Sequence, residues 1–84
     1  MRFTIEQRHL TDGSGKPLRP ANEVSFHTFD AENVDDALRL FVKKQGAEVI
    51  GDVTKLPGLQ AVATIRDPRG VYTLQVTPSS QHYA

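Results

Sequence analysis

Asn33-Val34-Asp35-Asp36-Ala37-Leu38-Arg39-Leu40-Phe41-Val42-Lys43-Lys44-Gln45-Gly46 is the stretch on which the fold turns. Val34, Ala37, Leu38, Phe41 and Val42 fall at i, i+3, i+4, i+7 and i+8, the spacing of a single apolar stripe on a helix. Asn33 is placed to cap the start, its side-chain oxygen accepting the backbone N–H of Asp36. Asp35 and Asp36 favour the positive end of the helix dipole, and Lys43 and Lys44 the negative end. Asp35 and Arg39 have the spacing of a helical ion pair. Gly46 supplies the left-handed residue that ends the helix. Leu40 lies roughly 110° or more from the middle of the stripe, which places it at the surface.

On either side of this helix the pattern changes to strands. Residues 2–9 alternate, with Phe3 and Ile5 against Arg2, Thr4 and Glu6. Residues 10–22 hold two Gly and two Pro and read as a loop, long for a hairpin connection. Residues 23–29 read as a second strand with Val24, Phe26 and Thr28 on one face. Residues 47–55 read as a third, less clean strand in which Gly51 marks a weak point or a bulge. Leu56-Pro57-Gly58 is a turn.

The last hairpin is clear. Asp67-Pro68-Arg69-Gly70 has the residue preferences of a type I turn. Pairing Arg66 with Val71 sets Ile65 opposite Tyr72, Ala63 opposite Leu74 and Ala61 opposite Val76, with all six apolar residues on one face. A register shifted by one would scatter them. Ala61 and Ala63 leave room for Phe41 or Leu38 of the helix. The order β-β-α-β-β-β with one helix predicts a two-layer α+β domain, an antiparallel four- to five-stranded sheet packed on that helix. Residues 1–78 form the domain, and 79–84 read as a frayed tail.

The bulk composition bounds the function. A chain of 84 residues suits one domain with a small core. At 38% hydrophobic and 24% charged, it is too apolar for disorder and too polar for a membrane protein. The alternating start does not read as a signal peptide, so a cytoplasmic location is expected. With no cysteine, disulfides, thiolate catalysis and Cys-built zinc sites are excluded. Lys plus Arg total 10 and Asp plus Glu total 10, so there is no overall basic excess.

No chemical motif survives scrutiny. Asp12-Gly13-Ser14-Gly15-Lys16-Pro17 lacks the first glycine, the terminal hydroxyl residue and the following helix of a phosphate loop. Laid on a calcium loop, it puts Lys16 at a ligand position and Pro17 where the bend needs glycine. Asp30, Glu32, Asp35 and Asp36 are explained as an acidic helix start. His9, His27 and His82 have no ligand or triad spacing, and a metal held by His9, His27 and Glu23 is not supported. No catalytic residue, cofactor or metal site is therefore assigned.

Two basic groups can be drawn. Arg8, Lys16 and Arg19 lie in or beside the long loop, and Arg66, Arg69 and Lys55 near the last hairpin. Scattered solvated charge explains them as well. For stacking on bases, the aromatic candidates are His27 and Phe29, of which Phe29 can equally belong to the core. Leu40, Val62 and Val71 are candidates for a partner surface. The favoured reading is a non-catalytic interaction module that binds an unknown protein or a second copy of itself through a sheet edge or the outer sheet face. Nucleic-acid binding through the basic residues is the alternative. An enzyme using His9 or His27 is a third.

Overall fold

The computed structural model describes residues 1–18 and 23–79. The chain runs β1 (Arg2–Thr11), β2 (Glu23–Asp30), α1 (Val34–Gln45), β3 (Glu48–Leu56), β4 (Gln60–Asp67) and β5 (Gly70–Pro78). The strands form one five-stranded sheet in the order β2-β1-β5-β4-β3. Every neighbouring pair is antiparallel. This is the two-layer α+β arrangement that the helix stripe implied, and it places the third strand at an edge, beside β4. No helix among the described residues is long and apolar enough to cross a membrane.

The helix begins and ends as its sequence dictates. Asn33 is extended and its Oδ1 accepts the Asp36 N–H at 2.8 Å. Gly46 adopts φ 70°, and the N–H groups of Gly46 and Ala47 bond back to the Lys43 and Val42 carbonyls. One local expectation changes. Asp35 pairs with Lys55 of β3 at 2.9 Å, and Arg39 takes Asp36 at 3.3 Å instead. The tertiary partner is available because β3 runs beside the helix, which sequence spacing along the helix cannot reveal.

The core joins three strands to the helix stripe. Phe3, Ile5, Ala61, Ala63, Ile65, Tyr72, Leu74 and Val76 are buried against Val34, Ala37, Leu38 and Phe41. The last hairpin has the register its pattern demanded, with Ile65, Ala63 and Ala61 opposite Tyr72, Leu74 and Val76. Leu40 is half-buried, not fully exposed. In β3 the ladder to β4 breaks between Ile50 and Thr54, and Gly51 takes φ 76° there, so the expected bulge is present.

The long loop is shorter than its composition implied. Leu10 and Thr11 continue β1, and Thr11 pairs with Val71 beyond a register shift. Asp12 then organises the following turn. Its Oδ1 accepts the backbone N–H groups of Ser14 and Lys16 and the Ser14 hydroxyl, at 2.8–3.0 Å. Arg19 lies outside the described residues, as do 80–84 of the expected frayed tail. Ser79 is tied to β1, its N–H donating to the Arg2 carbonyl at 2.8 Å and its hydroxyl meeting Thr4 Oγ1 at 2.7 Å.

Candidate functional site

Three surfaces can be built upward from these elements. The first lies on the helix-covered face. Along β1 the inward residues Phe3 and Ile5 are fully buried, whereas Gln7 and His9 are only half-buried, so the cover of α1 ends between them. There Gln7, His9, Val24, Ser25, Arg69 and Tyr72 line an open cavity of about 390 Å³. The His9 ring stacks on Tyr72 at 4.2 Å, and its Nε2 lies 3.1 Å from the Arg69 carbonyl oxygen. A carbonyl can only accept, so Nε2 carries the proton. Ser25 Oγ sits 3.2 Å from His27 Nε2.

A buried carboxylate frames this corner. The Asp67 side chain is 1% exposed and accepts from Gln45 Nε2 at 3.1 Å, Arg69 N at 2.8 Å and Arg69 Nη2 at 3.3 Å. Burial alone would raise its pKa, but the hydrogen bonds from Gln45 and Arg69 outweigh burial and hold it below the usual aspartate value. The hydrogen bond to Asp67, helped by Tyr72, raises the Arg69 pKa in turn. Asp12 is held low by hydrogen bonds from Lys16 and Ser14.

What the corner can do chemically is limited. Ser25 and His27 are close enough for a nucleophile and base, a pair not singled out in the sequence although the alternation of the strand sets both on one face. Among the described residues no hydrogen bond joins His27 to a carboxylate, and its ring leans on Phe41 at 5.0 Å instead. The orienting group that activates such a pair is not in place. No group of three metal-ligating side chains occurs among the described residues. Arg69 carries the fixed charge of the lining and is already paired with Asp67. The lining selects no ligand class.

The second surface is formed by the basic residues, which the structure distributes rather than gathers. Arg8 pairs with Glu6 at 3.1 Å on the outer face of β1. Arg66 pairs with Glu48 on the far side of β5. Arg69 pairs with Asp67, and Lys55 with Asp35. Lys16 stands exposed in a turn that packs on the last hairpin, since a side chain at Gly13 would meet the Pro68 carbonyl. Among the described residues, each of these cations except Lys16 is paired with its own acid.

The third surface is the periphery of the sheet. Val62 and Val71 are half-buried on the outer face, while Leu40 belongs to the helix layer, so the three candidates do not share one surface. Among the described residues the exposed aromatic is Phe26, at 65%, across from Glu6 on the outer face. His27 and Phe29 point to the helix instead, Phe29 meeting Phe41 edge-on at 5.7 Å. Neither stacking candidate is therefore free on the outer face, because odd residues of β2 face inward, and Phe29 packs against the core. On the opposite flank, Leu38, Val42, Ala47 and Val49 line a shallow groove between α1 and β3.

The two edges differ in construction. β3 carries a bulge at Gly51, charges at Asp52 and Lys55 within the strand, and Pro57 just beyond it. β2 pairs with β1 over eight consecutive residue pairs without a register shift. It contains no proline and no lysine, and its acids stand at its two ends, Glu23 and Asp30. Compared with protein-family models, curated proteins and solved structures, the chain matches none.

Proposed function

We propose that this chain is a small non-catalytic interaction module that takes a protein partner as an added strand along β2. The observation that carries the reading is the asymmetry of the edges. An open strand edge offers unpaired N–H and C=O groups, and proteins blunt such edges with bulges, prolines and charges. β3 has these devices and β2 has none of them between its ends. A regular edge with an exposed Phe26 suits strand addition, in which main-chain hydrogen bonds supply affinity and alternate side chains supply specificity.

Nucleic-acid binding receives less support, because Arg8, Arg66, Arg69 and Lys55 are each paired with an acid. The test places a photo-reactive benzoylphenylalanine at Phe26 or at Val49 in cells. Adducts to polypeptide from position 26 and few from position 49 are expected. Adducts from Val49 alone, or to nucleic acid alone, would overturn the reading.

A further inference from the structure

We infer that the strand added to β2 is β2 of a second copy, in the antiparallel register that places Phe26 opposite itself. This rests on the reading of β2 as the binding edge and names its occupant. Antiparallel addition across a twofold axis keeps the inner and outer faces aligned between copies. Residues opposite one another must then share a face, so their numbers sum to an even value. Two such registers overlap nearly all of β2, centred on Phe26 or on His27.

The side chains distinguish them. Centring on His27 sets that histidine against its own copy, Val24 against Asp30, and Phe26 against Thr28. Centring on Phe26 joins the exposed rings of the two copies across the axis. It also sets Val24 of each copy against Thr28 of the other, two side chains branched at Cβ, and Ser25 against His27. Ser25 and His27 are already hydrogen-bond partners within one chain, so their chemistry is complementary. Aromatic and β-branched pairs directly opposite one another are the stabilising units of a sheet.

The chain has no cysteine, so an introduced one reports cleanly. Opposed residues of an antiparallel pair have Cα atoms about 4.5–5.5 Å apart, within the range of about 4.4–6.8 Å that a disulfide spans. Phe26→Cys alone should cross-link under mild oxidation. Val24→Cys and Thr28→Cys should each fail alone and cross-link when mixed. In sedimentation over the micromolar to millimolar range, the wild type should reach twice the chain mass. Phe26→Lys should weaken association about tenfold or more, through the lost ring pair and opposed like charges. Val49→Lys, on the opposite edge, should leave it unchanged.

A mass of one chain throughout, with a different protein still labelled from position 26, would overturn the second copy and leave the binding edge standing. A dimer that cross-links through Val49→Cys but through no position of β2 would overturn both. A dimer in which His27→Cys cross-links alone and Phe26→Cys does not would overturn the register.

Discussion

Replacing Asp67 tests how the last hairpin is fastened to the helix. Its carboxylate holds Gln45 from the end of α1 and both the backbone and the guanidinium of Arg69 in the turn. A hydrogen bond to a charged group is worth about 1.5–3 kcal/mol net. The three donors do not count equally. Arg69 is 72% exposed and can turn its guanidinium to water at little cost, and Gln45 is half-buried. The turn N–H is fixed by the backbone and keeps most of its value. Asp67→Ala should therefore cost about 2–3 kcal/mol by these hydrogen-bond values, and Asp67→Asn about 1 kcal/mol because an acceptor remains. For a domain of this size each kcal/mol lowers Tm by roughly 4–8 °C.

The pH dependence follows from the depressed pKa. A carboxylate with a lower pKa folded than unfolded stabilises the fold fully above the unfolded value, and the contribution fades as pH falls through the folded one. The gap between wild type and Asp67→Asn should be constant near neutrality. It should close at pH values below the ordinary aspartate pKa of about 3.9. Urea unfolding from pH 7 down to pH 2 measures both effects. An Asp67→Ala midpoint within a degree or two of wild type, or a gap that persists undiminished in acid, would refute the argument.

Three further outcomes are expected. Leu38→Ala and Phe41→Ala should each cost on the order of 2–5 kcal/mol and Leu40→Ala much less, as read by urea denaturation; equal losses would mean that the helix is packed in another phase. Asn33→Ala should cost about 1 kcal/mol through loss of the cap, and an unchanged thermal midpoint would place the helix start elsewhere. Gly70→Ala should be among the most damaging single changes, because its Cβ would fall 1.8 Å from the Thr11 carbonyl oxygen at φ 140°; a soluble variant with a wild-type midpoint would contradict that packing.

The sequence disclosed those parts of the molecule whose signals are local. The helix carries its own caps and stripe, and the last hairpin carries its turn and a register that a slip of one would ruin. Strand order was illegible because β2 and β3, though consecutive strands, lie on opposite edges, and nothing in either names its neighbour. The ion pair of Asp35 with Lys55 failed to appear for the same reason. Phe26 was placed on a strand but not on a side, since β2 alternates Val24, Phe26 and Thr28 with Ser25, His27 and Phe29 and both sets can face a core. The basic residues were legible as residues, while their acids come from varied places: Glu6 on the same strand as Arg8, Asp67 in the same hairpin as Arg69, Asp35 on the helix for Lys55, and Glu48 on the neighbouring strand for Arg66.

Geometry explains why the edges are where a partner must be sought. Five strands spaced about 4.8 Å apart make a sheet about 19 Å across from β2 to β3, whereas one helix with its side chains is about 10–12 Å wide. Phe41 and Lys44 reach Phe29 on one flank, and Leu38 and Val42 border Val49 on the other, so α1 sits between the edges and covers each only in part. A sheet so exposed must defend its edges or use them. The chain spends a bulge, Asp52 and Lys55 on β3, yet leaves β2 regular with an exposed ring at its centre. Were β2 merely undefended, substituting Phe26 with lysine would improve solubility and alter nothing else. As a binding edge, it loses its partner by the same substitution while the monomer keeps its stability, and that separation is what sedimentation and urea unfolding of Phe26→Lys, taken together, resolve.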